Sequence, residues 1–211
     1  MRVTKVPESG AKRKLLDAAE LLVARDGFAS VSIRDITGAA GANVAAVNYH
    51  FGSREGLMDL VITLILEPLC TERIKALESL GKSTSAEAIV RAYVTALAHT
   101  GSALGMDERL FTRLAGRILA LPDDAMPPLL AAARRELSAR FLEVISRSTK
   151  AKAADWAFFE AGIAQSLISE SDTGRIAALL EEWIAFGVRG LMAGGSAKKN
   201  KDDAQGFLFD L

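Results

Sequence analysis

Positions 41–57 read Gly-Ala-Asn-Val-Ala-Ala-Val-Asn-Tyr-His-Phe-Gly-Ser-Arg-Glu-Gly-Leu. Within this stretch Asn43, Ala45, Ala46 and Asn48 are small or hydrogen-bonding residues, a combination suited to reading base edges. A carboxamide pairs with an adenine edge, and an alanine methyl lies against a thymine methyl. Tyr49 and His50 stand where a side chain reaches phosphate. Arg54 adds a cation at a helix start, where free N–H groups already favour anions. Ser32 and Arg34 can serve in the same way from the preceding helix. The chemistry implied is recognition of double-stranded DNA, with a few side chains reading bases and others setting register on the backbone. A plainer reading stands beside it. Val44, Val47 and Phe51 belong to a core, Tyr49 can pack, His50 can be structural or solvated, and Arg25 and Arg34 can be ordinary surface charges.

Such residues need short, well-stopped helices to present them. Leu15, Ala19, Leu22 and Val23 recur at helical spacing from Ala11 to about Arg25, and Gly27 stops that helix. Ser32, with Asp35 three places on, forms a capping-box start with Asp in the usual Glu position. Ile33, Ile36 and Ala40 give this second helix a buried face. Gly41 makes a turn, and Asn43 caps a third helix of roughly seven residues. Three such helices bury little alone, so they must pack on a long helix from near Ser53, carrying Leu57, Leu60, Val61, Leu64 and Ile65. Pro68 is expected to kink or break it before Gly81. Further helices are expected at about 85–99, 107–121, 127–147, 154–169 and 173–192. No strand alternation or internal repeat appears. The pattern predicts an all-α chain: a flexible basic arm (1–10), a helix-turn-helix domain (11–57), a larger helical domain (58–193) and a flexible tail (194–211).

Bulk properties agree. The chain has 211 residues, 50% of them hydrophobic and only 6% aromatic, a composition that favours helix packing. Net charge is zero, yet residues 1–14 hold Arg2, Lys5, Lys12, Arg13 and Lys14 against Glu8 alone. A local basic arm of this kind can touch phosphate. The single cysteine, Cys70, forbids an internal disulfide, and a cytoplasmic setting is expected. No signal peptide or membrane span is expected, nor any membrane partner.

Residues 11–57 resemble the DNA-binding domain of TetR/AcrR-type regulators. The matching pieces are Gly27-Phe28, Ser32-Ile33-Arg34-Asp35-Ile36, Ala40-Gly41-Ala42-Asn43 and, above all, Asn48-Tyr49-His50-Phe51-Gly52-Ser53-Arg54-Glu55-Gly56-Leu57. The resemblance implies about nine helices, a homodimer formed by the last two, and a ligand pocket in the C-terminal domain. It further implies a repressor released from a palindromic operator by a small molecule. Arg54 departs from the family's usual Lys, and its planar fork changes the contacts available to it.

The last two expected helices carry an interface-like pattern of their own. Phe159, Ile163 and Leu167 recur at three or four, as do Ile176, Leu180, Trp183 and Gly187. Ala161, Gly162, Ala164 and Gly190 permit close approach. Paired hairpins would make a four-helix bundle between subunits, and the alternative is packing within one subunit. In the middle helices Arg109, Arg113 and Arg117 lie one turn apart, either as a solvated stripe or with Arg113 turned inward, between Phe111 and Leu114, toward an acidic ligand group. The segment from Asp107 to Gly116 is similar to PsrA-like, fatty-acid-responsive members, which implies a fatty acid or acyl-CoA effector. Cys70, His99, Met106, Phe141 and Trp156 are further candidate lining residues.

Two other function classes find little support in the residues. No catalytic constellation, cofactor-binding loop or metal spacing is present in the sequence, so no enzyme, cofactor or metal is expected. Gln205-Gly206-Phe207-Leu208-Phe209 resembles the short motif by which bacterial proteins dock on the replicative sliding clamp.

Overall fold

A computed structural model describes residues 10–82, 84–169 and 176–193. Among them the regular structure is helical: α1 (Ala11–Asp26), α2 (Ile33–Ala40), α3 (Val44–Phe51), α4 (Arg54–Glu78), α5 (Ala86–Leu104), α6 (Glu108–Leu119), α7 (Pro128–Ile145), α8 (Ala153–Ser169) and α9 (Ile176–Ala193), with a 3-10 turn at Asp123–Ala125. The expected all-α architecture is observed. The Gln205–Phe209 motif, Arg2 and Lys5 lie outside the described residues.

Local chemistry sets the first three helices. Ser32 Oγ accepts the Asp35 N–H, and the Asp35 carboxylate accepts the Ser32 N–H at 2.8 Å, completing the capping box. Asn43 Oδ1 accepts the Ala46 N–H at 2.9 Å and starts α3. The turn after α3 needs glycine twice. Gly52 has φ 78°, and a Cβ on Gly56 would overlap the Phe51 carbonyl oxygen.

Helix α4 ties the small helices to the body. Leu57, Met58 and Val61 are buried near its start, and Leu69, Cys70, Arg73 and Leu77 further along. Contrary to the expected break, α4 runs through Pro68. Proline forfeits one backbone hydrogen bond, and α4 is held on both sides by packing against α5 and α7. Helix α5 runs one turn beyond its expected end, to a left-handed Gly105. Buried apolar residues form one connected core from Leu15 to Leu191.

The residues expected at a subunit interface are mostly spent inside the chain. Phe159, Ile163, Leu167, Leu180 and Gly187 are buried and Trp183 half-buried. The small residues let aromatic rings of the same subunit sit close. A Cβ on Gly162 would come within 2.6 Å of the Trp183 ring, and one on Gly187 within 2.6 Å of the Phe159 ring. The reason is geometric: α8 and α9 must first cover α5 and α6. What remains outside on these helices is Phe158 (74% exposed), Met192 (58%) and Phe186 (42%). The side chain of Ile176 lies outside the described residues.

Candidate nucleic-acid interface

Helix α3 has two distinct faces. Val47 is fully buried, with Ala46, His50 and Phe51 partly so, while Val44, Ala45, Asn48 and Tyr49 are exposed together with the cap Asn43. Positions 44, 45, 48 and 49 make one stripe on a helix. Tyr49 is 85% exposed, an uncommon place for so large an apolar ring. It meets His50 edge-on at 5.0 Å, and His50 meets Phe51 at 6.2 Å, so the aromatic run is mutually braced. Val44, expected in the core, is 40% exposed. It stands at the first helical position, on the same face as Asn48, and adds a methyl surface there.

Ser32 and Arg34 are exposed on α2, although Ser32 Oγ is already bonded to Asp35. That bonding holds the Asp35 carboxyl below its usual range, with the Ser32 side chain and backbone the main causes. Lys12 stands 5.6 Å from the centre of the Phe51 ring, a cation–π approach that brings the start of α1 to the end of α3. Arg13 pairs with Asp17 at 2.6 Å.

Arg54 is placed differently from its expected phosphate role. Its guanidinium donates to the Val31 carbonyl at 2.8 Å and to the Phe28 carbonyl, 23 and 26 residues upstream. The loop between α1 and α2 leaves these carbonyls without helical partners, and a forked donor satisfies both at once. Arg54 therefore staples the loop to the start of α4.

The residues expected around an effector do not meet in one place. Met106 and Phe111 line a cavity of about 360 Å³ with Leu97, Ser102, Thr112 and Leu180. Trp156 instead lines a separate cleft between α6, α7 and α8. Phe141 is fully buried, stacked on Trp156 at 3.9 Å. Cys70 and Leu114 are core residues, and burial pushes the Cys70 thiol up to about 11. His99 is exposed because it falls on the outer side of α5. Arg113 lines neither the cavity nor the cleft. Its charge acts on Asp26, at the end of α1. Arg117, one turn on, donates to the Arg25 carbonyl at 3.2 Å and lies against Gly27. The Asp26 carboxyl is held below its usual range, first by the Arg25 hydrogen bond, with Arg117 and Arg113 adding to it. Arg113 and Arg117 thus face the C-terminal end of α1, where a helix dipole favours cations, while Arg109 stays exposed.

Sequence reasoning missed one buried polar chain. Arg73 donates to the Tyr93 hydroxyl at 2.8 Å, and that hydroxyl donates to Glu160 at 2.8 Å. The Arg73 guanidinium lies 3.9 Å from the Tyr93 ring centre. An arginine and a tyrosine both spaced onto apolar helix faces were the available signal.

Comparison with known proteins agrees with this geometry. Residues 15–61 match the family described as bacterial regulatory proteins, tetR family. The chain is 31% identical over 104 residues to the HTH-type transcriptional repressor KstR2 of Rhodococcus jostii, covering 48% of this chain and 51% of that protein. The match thus spans about half the length of that relative. Among solved structures, the ketosteroid transcriptional regulator KstR2 of Mycobacterium tuberculosis superposes with a TM-score of 0.65 at 15% identity, covering 90% of this chain and 99% of that one. The TetR family regulator PfmR of Thermus thermophilus superposes with a TM-score of 0.58 at 19% identity, covering 84% and 98%. Residues 15–61 thus match the N-terminal domain of the tetR family of bacterial regulatory proteins, and the helical body behind them shares the fold of these solved structures.

Proposed function

We propose that the chain is a sequence-specific DNA-binding transcriptional regulator, a repressor that a small apolar or acidic-apolar molecule releases from a palindromic operator. The observation that carries this reading is the outer stripe of α3. Asn48 and Tyr49 stand exposed beside Ala45 on a helix capped at its start by Asn43, the presentation a major-groove reader requires. The name of the R. jostii relative, a transcriptional repressor, favours repression over activation. The working unit in this reading is a cytoplasmic homodimer built on the exposed side of α8 and α9, where Phe158, Phe186 and Met192 lie open.

Release requires that the effector domain move the reading helices. Two connections are available: α4, packed at one end into the small helices and at the other into the body, and the contact of Arg117 with the end of α1. At 1.5 Å per residue, the 25 residues of α4 form a lever about 37 Å long. An effector works only if it binds the DNA-competent and released states differently. The test is enrichment of genomic fragments on purified protein at moderate salt. The reading predicts one recurring two-fold symmetric sequence. Enrichment that tracks fragment length and disappears uniformly with salt would overturn it.

A further inference from the structure

The first residue of α3 breaks a local rule. Val44 follows the cap Asn43 directly, and it is 40% exposed. A helix start favours an acidic side chain, which complements the helix dipole, and a β-branched residue is a poor helix former. Five other helices keep to the rule: α2, α4, α5, α6 and α8 carry Asp35, Glu55, Glu87, Glu108 and Asp155 in their first turns. The first turn of α3 is Val44-Ala45-Ala46 and holds no charge.

Packing does not compensate for the choice. Helix α3 turns Val47 into the core, and Val44 belongs neither to the core nor to the layer packed on it. A lone exposed apolar residue is ordinary. Here two of them, Val44 and Tyr49, share the open side of one eight-residue helix. A residue that weakens its own helix and buries nothing at home is the kind of local inconsistency that marks a functional contact.

Position and chemistry say which contact. Val44 and Asn48 lie about 40° apart around the helix and about 6 Å apart along it, so they address the same strip of groove. The N-terminal residues of a recognition helix are the ones that reach base edges. Valine has nothing to offer a phosphate. The apolar group on the major-groove edge is the C5 methyl of thymine, and the stiff χ1 of valine presents its methyls at little entropic cost. We infer that Val44 is a specificity-determining residue whose methyl groups pack on the C5 methyl of one thymine in each half-site, close to the base pair that Asn48 reads. The inference rests on the sequence-specific reading of α3 above.

The test uses the full chain and the two-fold duplex that it enriches. Each dT of a half-site is replaced in turn, symmetrically, by dU, which removes only the C5 methyl. One position should weaken binding by about 15-fold, about fourfold per half-site, the worth of one buried methyl group. Val44→Ala should show a comparable loss on the parent duplex and no further loss on the dU duplex, so that the two changes together cost no more than one. Its melting temperature should not fall, because alanine is the better helix former. The sensitive thymine should lie within about two base pairs of the position whose preference Asn48→Ala relaxes. Indifference to dU at every position, a dU penalty that persists in full in Val44→Ala, or a sensitive thymine far from the Asn48 position would each overturn the inference and leave α3 as the reader. If Val44→Ala and Asn48→Ala weaken specific and scrambled duplexes alike, the reading of α3 falls, and this inference with it.

Discussion

Arg54 and Glu20 show how burial redirects charged side chains. With its guanidinium committed to the Val31 and Phe28 carbonyls, Arg54 contributes to the stability of the small helices. Arg54→Ala should lower unfolding stability by about 2 kcal/mol, since each carbonyl loses a charge-assisted bond. Arg54→Lys should recover only part of that loss, because a lysine cannot reproduce the fork. Urea denaturation checks both, and a lysine variant as stable as the parent would contradict the staple. Glu20 is 5% exposed on α1. Burial pushes its carboxyl up to about 7 from 4.5, against the pull of Arg13 and with a push from Asp17. Between those values the unfolded chain gives up its proton while the folded chain keeps it. Stability therefore falls as pH rises through this window and levels off above it. The cost at pH 8 is about 3 kcal/mol. Glu20→Gln should match the parent at pH 4 and exceed it at pH 8 by up to that amount, and equal denaturation midpoints at pH 8 would contradict this assignment.

The helices differ in how much of their placement is local. The caps at Ser32 and Asn43 and the turns at Gly41 and Gly52 follow from residues three or four apart, and they were legible in the sequence for that reason. So was the stripe of α3, whose inner side is marked by Val47. The roles of α6, α8 and α9 depend on partners far along the chain. Phe159, Ile163 and Leu167 form an apolar stripe whether it meets its own core or another subunit. Only the packing of α8 and α9 on α5 and α6 decides between these, in favour of the subunit's own core. Arg113 reads as a ligand cation until α6 is laid against α1. The cleft beside Trp156 likewise exists only once α7 and α8 are set apart. The contact of Arg117 with the Arg25 carbonyl makes α6 a brace for α1. Arg117→Ala should speed amide hydrogen exchange at Gly27 and Phe28 and reduce the change in DNA affinity that an effector produces. Unchanged exchange there would remove Arg117 from the coupling.

The assembled protein has no net charge, so attraction to DNA is confined to patches, and its field gives little sequence-independent affinity. In the proposed reading, discrimination then comes from α3, doubled by symmetry. Phe158, Phe186 and Met192 supply an open apolar face for that doubling. Phe158→Glu should convert a dimer to a monomer in sedimentation equilibrium, with the helical content intact, and a variant that remains dimeric would place the subunit contact elsewhere. The most direct measurement is the affinity of the parent protein and of Asn48→Ala for the enriched two-fold duplex and for a scrambled duplex, at one salt concentration. Asn48 is exposed and bears no packing load. Its loss should weaken the specific duplex by about 30-fold or more, the worth of two base contacts at about 1–3 kcal/mol each, one in each half-site, and leave scrambled DNA unaffected. Equal losses on both duplexes, or none on either, would contradict α3 as the element that reads sequence.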